Sequence, residues 1–304
     1  MQATAQQVVE TSPEQRERRK RRVAEVTSES LSTLPRHLSR LDGLLRNPPV
    51  DLARVASIVS ADPEFCDLLL SLTSTELFNA ESCSVTVPQA IVLFGSERLR
   101  TLALTCAFLK YSGRTLPISD RRRLWHHSFL TATLSDRTAR QVAYAEPAQA
   151  YLGGLLHDIG QLPLLIVAFE DEAAGDVFPA KWLDDPSVEH KLFGMDHCKI
   201  GRSIAVAWNL AASLADAIEH HHLPFRAKRD ANLAEIVGGG DRYSNLLSPS
   251  LAGDAADGSS RKAGAVNALL QMCVPPLWRA DRKRPVGLSR SGDLDATATI
   301  PFVH

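Results

Sequence analysis

His157 and Asp158 stand side by side in the segment Tyr151-Leu-Gly-Gly-Leu-Leu-His157-Asp158-Ile-Gly160, at the end of an apolar stretch. A neutral imidazole beside an anionic carboxylate makes a good edge for a divalent cation. The dipeptide has a plainer reading as well, in which Asp158 caps the next helix and His157 bonds a backbone carbonyl. About 30 residues earlier, Leu124-Trp125-His126-His127-Ser128 carries an apolar stripe through Leu124, His127, Thr131 and Leu134. At helical spacing that stripe turns His127 inward and leaves His126 a quarter turn away. An inward histidine by itself is ordinary core. Downstream come His197, the run His220-His221-His222, and Asp241 directly after Gly238-Gly239-Gly240.

Helices are the elements that would position these groups. Ser12-Pro13, Asp62-Pro63 and Asp185-Pro186 each place a capping side chain before a proline whose missing N–H does no harm in a first turn. Apolar residues recur at three-and-four spacing, as in Leu52, Val55, Ile58, Val59 and in Leu68, Leu69, Leu72, and sustained alternation at period two is hard to find. The spacing predicts helices near 13–29, 37–46, 51–60, 63–73, 87–94, 97–110, 120–142, 147–157, 161–169, 186–193, 197–208, 211–221 and 230–245, with sheet content close to zero. The fold class is therefore all-α.

With 34 basic and 35 acidic residues the net charge is −1, so no global field draws the chain onto nucleic acid or an anionic membrane. The charge run at 14–22 reads as a solvated helix, and neither Arg16–Arg22 nor Arg121–Arg123 comes with aromatic interleaving or a recognition helix. No nucleic-acid role is assigned. Cys66, Cys83, Cys106, Cys198 and Cys273 are scattered without a CxxC pair and read as reduced core fillers. The polar, charged N-terminus lacks the apolar segment of a signal peptide, and no apolar run near 18 residues is evident, so a cytoplasmic, non-membrane protein is expected. From Ser248 to Gly264 the chain turns to Ser, Gly, Ala and Asp, a composition that buries too little to order itself. Leu269–Trp278 reads as a helix or anchor that docks back on the body.

The order His127, His157-Asp158, Asp241 resembles the H…HD…D signature of the HD superfamily, whose members hold a divalent metal among helices and mostly hydrolyse phosphate esters. Within it the chain is most similar to the HDOD (HD-related output domain) family. The matching residues run through Leu34-Pro35, Ile58-Val-Ser-Ala-Asp62-Pro63, Leu69-Leu70-Ser-Leu72 and Val87-Pro88-Gln-Ala90-Ile91-Val-Leu93-Phe-Gly95. They continue through Trp125-His-His-Ser128, Gly154-Leu-Leu-His157-Asp158-Ile-Gly160, Glu189, His197-Cys-Lys-Ile-Gly201, Trp208 and Ala217-Ile-Glu-His220-His221. The resemblance implies a multi-helix HD-domain-like bundle over 31–245, with a helical half at 31–115 and an HD-like half at 116–245. A charged helical extension at 1–30 would precede it, and a flexible linker and tail at 246–304 would follow.

The family implies a regulatory output or scaffold module of bacterial signalling that binds a signalling protein. A bound nucleotide or cyclic dinucleotide would fit the same role. For a divalent transition metal (Fe, Mn, Ni or Co) the implied ligands are His127, His157, Asp158 and Asp241, with His197, His220 and His221 as additions. The rival expectation is a metal-dependent phosphohydrolase or phosphodiesterase in which His197 or His220 handles the proton. Three departures from the related HD-GYP phosphodiesterases stand against turnover. Gln161 replaces a phosphate-binding lysine, Arg123 stands where a metal-ligating glutamate can precede His127, and His222-Leu223-Pro224-Phe225 replaces the GYP segment.

Overall fold

Among the described residues every regular element is a helix. The computed structural model describes residues 11–46, 49–73, 85–115, 118–171 and 185–247. The expected linker, docking segment and tail lie outside them, as do Cys83 and Cys273. In chain order the helices are α1 Pro13–Val26, α2 Arg36–Arg46, α3 Leu52–Ser60, α4 Pro63–Thr73, α5 Val87–Phe94, α6 Ser96–Thr115 and α7 Ile118–Gln141. They continue as α8 Pro147–Leu156, α9 Gln161–Glu170, α10 Pro186–Phe193, α11 His197–Ala207, α12 Ala212–His220 and α13 Ala231–Leu247. A π turn, Thr27–Leu31, follows α1, and a 3-10 turn, Pro224–Arg226, follows α12.

The capping residues act as their types require. Ser12 accepts from the N–H of Gln15 in a capping box, Asp185 accepts from Ser187 and Val188, and Asp62 accepts from Phe65. Two groups of helices result: α2 to α6 pack on one another, and α7, α8, α11, α12 and α13 form the bundle that carries the histidines. One apolar core runs from Val23 and Leu38 through Phe108 and Leu155 to Ile218. A smaller cluster of Ala139, Ala150, Ala217, Ala234 and Val237 lets four helices of the second bundle approach closely.

The charged segment of α1 is not wholly solvated, contrary to the expectation for 14–22. Val23 and Val26 enter the core, and Arg19 is 8% exposed because its guanidinium meets Asp171 at 2.8 Å. Arg22 likewise reaches Glu170 through two nitrogens at 2.8 and 2.9 Å. These pairs lay α1 along α9 and α10. Pro147–Glu170 has the length and apolarity of a membrane span, which corrects the expectation that no such run exists. Its window is 89% buried inside the protein because α8 and α9 are central to the core.

Asp62 joins three elements of the first group. Burial opposes its ionisation, but Lys110 Nζ at 2.6 Å, the Phe65 N–H and His37 at 2.8 Å outweigh it and hold the carboxyl below its ordinary range. A folded-state value that is depressed stabilises the protein above the unfolded-state value of about 3.9, and that contribution is lost as pH falls below it. Lys110→Met is therefore expected to lower the melting temperature by about 3 °C at pH 7, on the order of 1 kcal/mol. The deficit should shrink at pH 3, and an equal deficit at both pH values would show that the pair makes no pH-dependent contribution.

Candidate metal centre

Five helices deliver the candidate ligands to one spot. His127 comes from the middle of α7, His157 and Asp158 from the turn after α8, and His197 from the first position of α11. His221 and His222 follow the end of α12, and Asp241 lies in α13. Two glycines make the convergence sterically possible. A Cβ on Gly160 would fall 2.0 Å from the carbonyl oxygen of His197, so only glycine lets the His157–Asp158 turn lie directly on α11. A Cβ on Gly238 would fall 2.1 Å from the carbonyl oxygen of His221, which locks α13 against the end of α12.

His127 Nε2 lies 3.0 Å from His157 Nε2, 3.4 Å from Asp158 Oδ2 and 3.2 Å from Asp241 Oδ1. His157 Nε2 is 3.2 Å from Asp158 Oδ2 and 3.7 Å from Asp241 Oδ1. The other oxygen of Asp158 faces away from this group, 3.4 Å from His197 Nε2 and 3.8 Å from His221 Nε2. His222 Nε2 stands 3.2 Å from His197 Nε2.

The outer ring nitrogens explain why the inner ones are available. His157 Nδ1 donates to the carbonyl of Gly154 and His221 Nδ1 to that of Ile218, each at 2.8 Å. His197 Nδ1 lies 2.8 Å from both oxygens of the fully buried Glu189, whose Oε2 also accepts the His197 backbone N–H at 2.7 Å. Ser244 Oγ is 2.9 Å from His127 Nδ1, and Asn245 donates to Asp241 Oδ1 at 2.9 Å. A proton held on Nδ1 leaves the Nε2 lone pair pointing inward, the arrangement of metal-bound histidines backed by carbonyls and carboxylates. The sequence offered a carbonyl bond as the plain alternative for His157; here that bond is what aims the imidazole.

The electrostatics suit a cation. Burial opposes charge on His157, but the Asp158 and Asp241 carboxylates outweigh it and push its imidazolium up to about 10. Burial likewise favours neutral acids, yet the surrounding imidazoles hold both Asp158 and Asp241 well below the carboxylate range. His221 is lowered by burial and then by its imidazole neighbours, and burial pushes the Cys198 thiol up. A field that draws protons onto buried imidazoles draws a divalent ion by the same attraction, with release of those protons. His127, His157, Asp158 and Asp241 thus fit a divalent metal in donor type, tautomer and charge.

Not every expected residue is here. His220 stays on the outer face of α12, 3.7 Å from Asp216 and from Glu219, because the helix ends beneath it and only the next two residues turn inward. His222 takes the inward place that the sequence reading left to His220. That reading also gave no site role to Glu189, Ser244 or Asn245 and took Cys198 for a core filler. A signal existed for Glu189, which stands eight residues before His197 in the helix that leads to it. Arg123 is exposed.

Such a bundle, with a buried His and Asp cluster where five helices meet, defines an all-helical protein whose clustered donors could hold a metal. The chain belongs to the HDOD domain family, whose model matches residues 31–224. An uncharacterized protein of Treponema pallidum (strain Nichols) is 25% identical over 206 residues, which is 64% of this chain and 38% of that protein. The chain thus spans well under half of that relative. Among solved structures, an HDOD domain protein of unknown function from Geobacter sulfurreducens superposes with TM-score 0.61 at 24% identity, covering 86% of this chain and 88% of its own. A protein of Shewanella amazonensis SB2B provisionally named a phosphohydrolase gives 0.56 at 20% identity, with 83% and 88% covered. A protein of Marinobacter aquaeolei VT8 provisionally named a signal transduction protein gives 0.53 at 20%, with 81% and 55% covered. At these identities the likeness is one of fold.

Proposed function

We propose that this chain is a cytoplasmic regulatory output module of bacterial-type signal transduction, acting by protein or ligand binding around a divalent metal held by His127, His157, Asp158 and Asp241. The observation that carries the reading is closure. The side chains of His157, His197 and His221 have no exposed surface, and the carboxylates of Asp158 and Asp241 are each 6% exposed. A centre so enclosed is suited to holding helices in register, and leaves a phosphate ester little surface to approach. Gln161, buried at the start of α9, adds no fixed cation of the kind that stabilises a transferring phosphoryl group by several kcal/mol. A signalling protein, a nucleotide or a cyclic dinucleotide is the partner class this role implies.

The second reading, a metal-dependent phosphohydrolase, is favoured by the donor set itself. A bound divalent ion supplies Lewis acidity and an activated water. In that reading His127, His157, Asp158 and Asp241 hold the ion, and Glu189 orients His197 as the group that can pass a proton. One experiment separates the two. Hydrolysis of cyclic dinucleotides and simple phosphate esters, assayed with Mn, Fe, Ni or Co supplied, is expected to stay below about 0.1 per second, roughly a hundredth of a median enzyme. Faster, metal-dependent turnover that Asp158→Asn abolishes would make the hydrolase reading right and the regulator reading wrong.

A further inference from the structure

We propose that Cys198 is a metal ligand: its Sγ, with Nε2 of His197, His221 and His222, forms a second, softer cation position beside the first. The inference rests on the proposed metal centre and adds to it a position of different chemistry. Cys198 Sγ is 3.4 Å from His197 Nε2, which in turn is 3.4 Å from His221 Nε2 and 3.2 Å from His222 Nε2. All four donor atoms lie within 4.8 Å of one another. With metal bonds of about 2.0–2.1 Å to nitrogen and about 2.3 Å to sulfur, the edges of a tetrahedron are about 3.4 Å between nitrogens and about 3.6 Å from nitrogen to sulfur. The three spacings at His197, 3.2 to 3.4 Å, are close to those edges, and the remaining pairs lie within 4.8 Å.

The protons point the same way. Glu189 and the Ile218 carbonyl engage Nδ1 of His197 and His221, so the two Nε2 atoms are the inward-facing donors, 3.4 Å apart. A cation between them displaces any proton on Nε2 and takes up the buried thiol as thiolate. Glu189 has no exposed surface and spends both oxygens on His197, the carboxylate backing typical of a metal-bound imidazole. Asp158 joins the two positions, with Oδ2 toward His127 and His157 and Oδ1 toward His197 and His221. Three imidazoles and a thiolate select a borderline-soft ion such as zinc, cobalt(II) or iron(II), whereas two imidazoles and two carboxylates suit a harder one.

The test is a cobalt(II) titration of the full chain after chelator treatment, followed by visible and near-ultraviolet absorption. Wild-type protein is expected to take up two equivalents, one of which brings a thiolate-to-cobalt charge-transfer band. Cys198→Ser should lose the band and bind that equivalent at least about 10-fold more weakly, while Cys66→Ser keeps it. Cobalt uptake without the band in wild-type protein, or a band that survives in both Cys198→Ser and Cys198→Ala, would overturn the role of Cys198 and leave the first position standing. No cobalt uptake at all would remove the metal centre and this inference with it.

Discussion

Asp158→Ala is expected to strip the purified protein of nearly all its bound divalent metal, with affinity lowered on the order of 100-fold or more, whereas His126→Ala leaves metal content close to wild type. Among the described residues, Asp158 alone has two oxygens facing different sets of imidazoles, His127 and His157 on one side and His197 and His221 on the other. Its removal deletes an anionic donor and leaves several buried imidazoles without a counter-charge. Loss of a residue that merely supports a ligand already costs about 10- to 100-fold in metal affinity, so loss of a shared anionic ligand should exceed that. His126 sits on a neighbouring face of α7 and belongs to none of the donor clusters among the described residues. Elemental analysis of both variants, purified without added ions, is the measurement. Equal metal content in the two would sink the assignment of the centre.

Gly160→Ala should be among the most damaging small substitutions in the described residues. The added Cβ would meet backbone on every side: His197 O at 2.0 Å, Gly201 N at 2.7 Å and His197 C at 2.8 Å. Backbone has no rotamer by which to retreat, so the turn carrying His157 and Asp158 must lift away from α11. Overpacking of this kind costs about 1–3 kcal/mol or more, which for a chain of this size is a fall of roughly 3–10 °C in melting temperature. Separation of Asp158 from His197 should lower metal content at the same time. Gly43→Ala is the control, because nothing lies within 4 Å of its added Cβ on exposed α2. There alanine should raise stability by up to about 1 kcal/mol. Thermal melts of the two variants decide it, and a Gly160→Ala protein as stable as wild type would show that the contact between the turn and α11 is not tight.

Much of this architecture was readable in residue order. Helix starts at Ser12, Asp62 and Asp185 follow from one side chain and one proline, both local to the chain. The inward turn of His127 follows from a stripe of period 3.6, and the proposed ligand set follows from the order of a family motif. The charge run at 14–22 was legible as helix and not as an interface. Whether Arg19 meets water or Asp171 depends on a residue 152 positions away.

Residue order thus determined which segments are helical, where they begin, and that His127, His157, Asp158 and Asp241 belong together. Tertiary structure alone decided which of His220, His221 and His222 turn inward, that Glu189 stands behind His197, and that Cys198 borders the cluster rather than filling core. The physical reason is that periodicity assigns a side chain to a face of its own helix, while these choices arise where helices end and meet. At the end of α12 a single residue of difference carries an imidazole from the solvent side to the centre of the bundle. That exit is set by the close contact of Gly238 with His221, made by a helix that begins only after the turn.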